Sequence, residues 1–206
     1  MSCRGLLRTG GAAIVLAGCC AAATMAQTYT ADPGTWRPVA YSDLTFPRGE
    51  AESYASLWQD RLDESNKKAE PGNPGVPLNT SIAVGNRGAS EWHFSINFQT
   101  KVVALSVLST PHLCTDEYPS PTKDIRIKIC PSRLATFENN SYSVIDGAAC
   151  FVEKESGAPV EDSTATVTYA AYDIPTRAIR LRYIVSHQEI DHCAQSVALH
   201  PENATR

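Results

Sequence analysis

Glu91-Trp92-His93-Phe94-Ser95-Ile96-Asn97-Phe98 is the stretch that decides the fold. Trp92, Phe94, Ile96 and Phe98 alternate with Glu91, His93, Ser95 and Asn97. A period of two puts the aromatic set on the inner face of a β-strand and the polar set on its outer face. Lys101 to Thr110 follows as a nearly continuous apolar run rich in valine, the pattern of a central strand covered on both sides. Further along, Ile125, Ile127 and Ile129 alternate with Arg126 and Lys128, which sends Cys130 outward with the charges. Strands are also expected at Ser141 to Val152, Ser163 to Ala171 and Arg177 to Ser186, the last two joined by the turn-length segment Tyr172 to Thr176. With no helical pattern between these strands, the expected fold is mainly β, an antiparallel sandwich or barrel-like domain.

One helix precedes the strands. From Glu50 to Lys68 the apolar residues Ala51, Tyr54, Leu57, Trp58 and Leu62 recur at helical spacing, with acids early and Lys67-Lys68 late, as the helix dipole favours. A lone amphipathic helix beside a sheet is expected to pack onto it. Pro71, Gly72, Pro74, Gly75 and Pro77 then end it in a short linker. Ahead of the helix, residues 27–49 read as an extended arm punctuated by Pro33, Pro38 and Pro47, with Trp36, Tyr41, Leu44 and Phe46 available for docking. The β domain is expected over residues 50–206.

Residues 1–26 have the layout of a secretory leader: Arg4 and Arg8, then the apolar stretch Ala12 to Ala23, then small residues ending in Ala26. That stretch is short of the ~20 apolar residues of a membrane span. Two processing routes fit it, cleavage after Ala26 or lipidation at Cys19. Leu16-Ala17-Gly18-Cys19 resembles the bacterial lipobox, whose cysteine becomes the lipidated first residue. Because Cys20 follows in place of the aspartate associated with inner-membrane retention, that resemblance implies an outer-membrane anchor. The expected location is the periplasm or outer membrane of a bacterium, or secretion beyond it.

Seven cysteines divide into Cys3, Cys19 and Cys20 in the leader and Cys114, Cys130, Cys150 and Cys193 in the domain. An even set in an exported protein reads as two disulfides. In a simple meander Cys150 and Cys193 end strands two apart and can meet, leaving Cys114 with Cys130; pairing Cys114 with Cys150 is the main rival. No C-x-x-C spacing supports redox, zinc-ribbon or haem chemistry.

Composition narrows function further. The formal net charge is −4, and a leader carrying only Arg4 and Arg8 reduces the 18 basic residues to 16 against 22 acidic ones. Phosphate-backbone binding needs clustered cations, so a nucleic-acid role has little support. No nucleophile elbow, Walker loop, H-E-x-x-H helix, EF-hand or dinucleotide fingerprint occurs, so no catalytic residue and no cofactor are assigned. The densest set of potential ligands is His187, Glu189, Asp191 and His192, which read either as a solvated loop held by Cys193 or as a candidate metal site. A second polar group, His112, Asp116, Glu117 and Tyr118, surrounds Cys114, and closure of both disulfides at one end of the sheet would bring His112 towards His192. His93 is expected on an exposed sheet face beside Glu91.

Three functions remain. The first is a non-enzymatic envelope or periplasmic module of the inhibitor, immunity or accessory-lipoprotein type, its acidic surface suited to a basic protein partner. The second is a metal-dependent or hydrolytic enzyme using the His187 to His192 loop. The third is a structural factor whose strand edges pair with another chain.

Overall fold

The computed structural model describes residues 34–68, 88–139, 141–156, 160 and 165–199; the leader, with Cys19 and both processing sites, lies outside them. In chain order the elements are β1 (Arg37–Pro38), β2 (Ala40–Asp43), α1 (Glu50–Leu57), α2 (Gln59–Lys68), β3 (Ser90–Asn97), β4 (Lys101–Ser109) and β5 (Thr115–Tyr118). These are followed by β6 (Ile125–Glu138), β7 (Ser141–Lys154), β8 (Val167–Asp173), β9 (Ala178–Val185), β10 (Gln188–Glu189), a 3-10 turn (Asp191–Cys193) and β11 (Gln195–Ala198). No helix among the described residues is long and apolar enough to cross a membrane.

All strand pairings are antiparallel, and they form two sheets. The larger runs β2-β3-β4-β6. Along one side of β6 lie β4 and then β5, and along the other lies β7 over all fourteen residues. The smaller sheet runs β1-β8-β9, with β10 and β11 both on β9. Their facing sides share one core, in which Trp92, Phe94 and Ile96 of β3 and Val103, Leu105 and Val107 of β4 cluster with Ala170, Ile179, Leu181 and Tyr183. This is the face that the period-two reading assigned inward. The result is sandwich-like.

The arm ahead of the helix is built into both sheets. Arg37 pairs with Ala170 in the smaller sheet, and Tyr41 pairs with Trp92 in the larger. Val39, between the two strands, donates its N–H to Thr168 O and buries its side chain.

The opposite face of the larger sheet carries the helices. Leu44, Ala55, Trp58, Leu62, Ala89 and Leu108 form a second buried cluster there, so β4 is covered on both sides. The expected single helix is instead broken at Trp58. Arg133 of β6 reaches up and donates from Nη1 to the Leu57 carbonyl (2.5 Å), and the Arg61 N–H bonds to Trp58 O instead. A side chain entering the helical ladder is a recognised cause of a kink.

The disulfides are Cys114–Cys130 and Cys150–Cys193. A meander is not the reason they form: Cys150 lies in the larger sheet, while Cys193 sits between β10 and β11 of the smaller, so that bridge joins the two layers. Cys130 is buried rather than outward-facing. Its neighbours Arg126 and Lys128 both pair with Glu153 (2.6 Å each), a carboxylate buried on β7 that also accepts from Ser109 Oγ (3.1 Å). Arg126 and Lys128 do share a face with Cys130, as the alternation implies, but that face is not outward: this ionic cluster closes it.

Candidate functional site

Helix α1 crosses the larger sheet near its β2–β3 edge and leaves part of that face open. Its N-terminus begins at Gly49, whose positive φ of 61° suits glycine, and Glu50 and Glu52 in the first turn complement the helix dipole. Positions 50, 53, 54 and 57 share one helical stripe. Together with Arg37, Val39, Ala40, His93, Ser95, Asn97, Val102, Ala104, Phe137 and Tyr142 they bound a cleft of about 750 Å³. Its far wall is a stacked pair, Phe137 and Tyr142 (ring centroids 5.9 Å apart). A shallower hollow of about 510 Å³ adjoins it at the β3–β4 and β6–β7 turns and shares Val102, Phe137 and Tyr142.

The floor beneath α1 is polar and sealed. Glu91 and Ser106 are fully buried there. Trp58 Nε1–H, which can only donate, is 2.8 Å from Ser106 Oγ, so the Ser106 proton is free for Glu91 Oε2, also at 2.8 Å. The other carboxylate oxygen lies 2.8 Å from His93 Nδ1. With Glu91 as a carboxylate both its oxygens accept, the proton sits on Nδ1, and Nε2 is the ring atom left towards the cleft. Nε2 lies 3.8 Å from Glu50 Oε1, whose side chain is exposed at the mouth. Satisfying both oxygens matters, because a buried carboxylate left unpartnered costs several kcal/mol.

Tyr54 lies flat over the His93 ring, 4.0 Å between centroids and 18° between planes. Burial, then the charges of Glu91 and Glu50, push its pKa well above the usual tyrosine range. Tyr54 therefore stays a neutral phenol, and two carboxyl groups, Glu91 beneath and Glu50 at the mouth, flank the His93 ring at this end of the cleft.

Arg133 closes the site from behind. Its guanidinium grips Asp60 through Nη1 (2.6 Å) and Nη2 (2.7 Å), reaches Asp146 through Nε (2.8 Å) and lies over the Trp58 ring at 4.6 Å. Hydrogen bonding to Asp60 holds this guanidinium charged and, in return, draws the Asp60 carboxyl below its usual range.

The ligand set read from the sequence lies elsewhere. His187 is the second residue of a two-residue hairpin turn between β9 and β10, where Ser186 and His187 have φ of 50° and 65°, the left-handed geometry of tight hairpins. Glu189 is ion-paired with Arg182 (2.7 Å), Asp191 is exposed at the start of the 3-10 turn, and the His192 ring packs on Tyr118 (4.2 Å). Among the described residues, no three His, Cys, Asp or Glu side chains are placed together to hold a metal ion. The two loops tied by the disulfides do meet, through Tyr118 and His192. His112 stays exposed in the turn before Cys114, where Thr110 Oγ1 accepts the N–H groups of His112 (3.4 Å) and Leu113 (3.2 Å).

Fold and site together define a disulfide-stapled, two-sheet antiparallel β domain with a helical layer and a cleft between helix and sheet. No protein-family model matches the chain, and no curated protein or solved structure matches it. What the chain does is therefore read from the cleft.

Proposed function

We propose that this chain is a non-enzymatic extracytoplasmic binding module that receives part of a basic protein partner in the cleft under α1. The observation that carries the reading is the cleft itself: an apolar trough ending at Tyr54, His93 and Glu50. A lysine or arginine side chain suits that chemistry. Its stem lies against Leu57, Phe137 and Tyr142, and its cation meets the Tyr54 ring face and the exposed Glu50 carboxylate. The excess of acidic over basic residues adds long-range attraction for the same class of partner. Two disulfides suit an oxidising compartment, in keeping with an exported domain, held in the periplasm or, through Cys19, on the outer membrane.

The test is capture from an envelope extract by the purified exported protein, beside Ser53→Trp, which fills the trough, and Glu50→Gln, which removes the mouth charge. A basic partner held by the wild-type protein, lost with the filled trough and weakened roughly tenfold by E50Q supports the reading. A partner retained equally by all three sinks it. An enzymatic reading has one observation in its favour, the Glu91–His93 couple, since an oriented imidazole is a general base elsewhere. Among the described residues, however, no serine, threonine or cysteine is hydrogen-bonded to Nε2. Hydrolysis of a peptide or ester panel, abolished by His93→Ala, would favour that alternative.

A further inference from the structure

We infer that the open edge of β7 is a self-association surface on which a second copy of this chain adds its own β7, antiparallel, about a twofold axis near Val144. The inference is independent of what the cleft binds. An outer strand presents unpaired N–H and C=O groups, and proteins blunt such edges with short strands, prolines, charged side chains or bulges. The other outer strands follow that rule. β1 is two residues long and ends in Pro38, β10 is also two residues, β2 and β11 are four each, and β5 breaks register between Thr115 and Glu117. β7 does not. It runs fourteen residues in unbroken register with β6 and, among the described residues, pairs with no other strand. Ser141 to Cys150 contains no Lys, Arg or Pro. Two of the four large hydrophobic side chains most exposed to solvent, Tyr142 (66%) and Ile145 (40%), lie on it.

The direction of the edge groups follows from bonds already made. In an antiparallel ladder each residue turns its N–H and C=O to the same side, alternating between neighbours. The carbonyls of Ala148 and Cys150 are taken from outside β6, by Gln195 Nε2 and Trp92 Nε1 (3.3 Å each). Even-numbered residues thus face away from β6. No described residue outside the ladder bonds the backbone of Tyr142, Val144 or Asp146. Three such residues in alternation make a self-complementary edge. With Val144 opposite Val144, Tyr142 faces Asp146 of the second copy and Ser143 faces its Ile145, so up to six backbone hydrogen bonds close. No like charges meet, because Asp146 is already engaged by Arg133 (2.8 Å) and Arg61 (3.9 Å).

Sedimentation velocity of the purified exported protein, on the order of 1 to 100 µM, tests this with Val144→Pro and Val144→Cys. Proline removes the N–H that points outward but none that pairs with β6, so V144P is expected to melt as the wild type does and to self-associate at least roughly tenfold more weakly. V144C is expected to give a disulfide-linked dimer that reports the register. A wild-type protein that stays monomeric across the range overturns the proposal, as does a dimer indifferent to V144P. A V144P protein that fails to fold overturns it too, because that N–H then belongs to the ladder. A monomer that instead takes up an extended segment of a different protein along β7 equally refutes self-pairing.

Discussion

Replacing Arg133 with alanine tests whether the helical layer is clasped to the sheet by one side chain. The guanidinium is about nine-tenths buried and satisfies acceptors on three elements: the Leu57 carbonyl at the end of α1, Asp60 on α2 and Asp146 on β7. The Leu57 bond has a charged donor, and losing it leaves a carbonyl unpaired at the kink, a cost of about 1.5 kcal/mol. Asp60 and Asp146 are more than half exposed, so solvent screening holds each pair below about 1 kcal/mol. Stacking over Trp58 contributes about 0.5 to 1 kcal/mol. R133A should therefore lose about 3 kcal/mol, a fall in Tm of about 6 to 12 °C for a chain of this size, read by thermal melting in circular dichroism. Arg133→Lys should recover less than half, because one ammonium cannot serve three acceptors in a fixed fork. An R133A protein melting within about 2 °C of wild type would refute the clasp. The helices would then be held by the buried cluster around Trp58, Leu62 and Leu44 and by the Trp58–Ser106 hydrogen bond, without the arginine.

Four further outcomes are expected. Asp60 has its carboxyl drawn down in the folded state by Arg133, so its contribution is complete above the unfolded value near 3.9 and disappears as pH falls through the lower folded value; Asp60→Asn should flatten a stability profile taken between about pH 5 and 2. Glu91→Ala should cost about 3 kcal/mol or more, since it orphans the buried donors of Ser106 and His93, whereas Glu91→Gln should cost about half that and turn His93 to the other tautomer, visible in nitrogen-15 spectra. Loss of Cys150–Cys193, which closes 43 residues, should destabilise by about 4 kcal/mol against about 3 for Cys114–Cys130, which closes 16; equal losses in denaturant titration would point to strain or residual structure in place of chain entropy. His187→Gly should stabilise by about 0.5 to 1 kcal/mol by relieving a left-handed backbone, and loss of activity or bound metal from that variant would restore the loop to the functional site.

The strands were legible wherever polar and apolar residues alternated or an apolar run was unbroken. β3 and the apolar β4 came directly from period and composition, and the helix from its acids, lysines and apolar stripe. What escaped has a common cause, which is dependence on partners distant in sequence. β1 and β2 are too short and polar to show alternation, and they exist because β8 and β3 have edges to fill. The kink at Trp58 depends on an arginine 76 residues from the carbonyl it takes. The Ser186-His187 turn carries no glycine or asparagine to announce it, and it is held by the bonds from His187 N–H to Ala165 O (2.8 Å) and from Ser186 N–H to Thr166 Oγ1 (3.2 Å).

His93 is the instructive case. Alternation correctly placed Glu91, His93 and Ser95 on the face away from Trp92, and that face then passed for solvent-exposed because its residues are polar. Yet the neighbouring strand contradicted this. A β4 buried on both sides requires a second layer over the face that Glu91 and His93 share, and the helix, with its apolar stripe, is the element that supplies it. Covering Glu91 removes water from a carboxylate, which then demands donors. Ser106 is the hydroxyl that interrupts the apolar run of β4, Trp58 is the indole on the helical stripe, and His93 is the imidazole two residues along the same strand face. Each is an ordinary residue alone. Their conjunction under one helix follows once the two-sided burial of β4 is taken as a constraint on β3, and it makes the Glu91–His93 couple, with Tyr54 stacked upon it, the fixed end of a cleft whose far wall is the Phe137–Tyr142 pair.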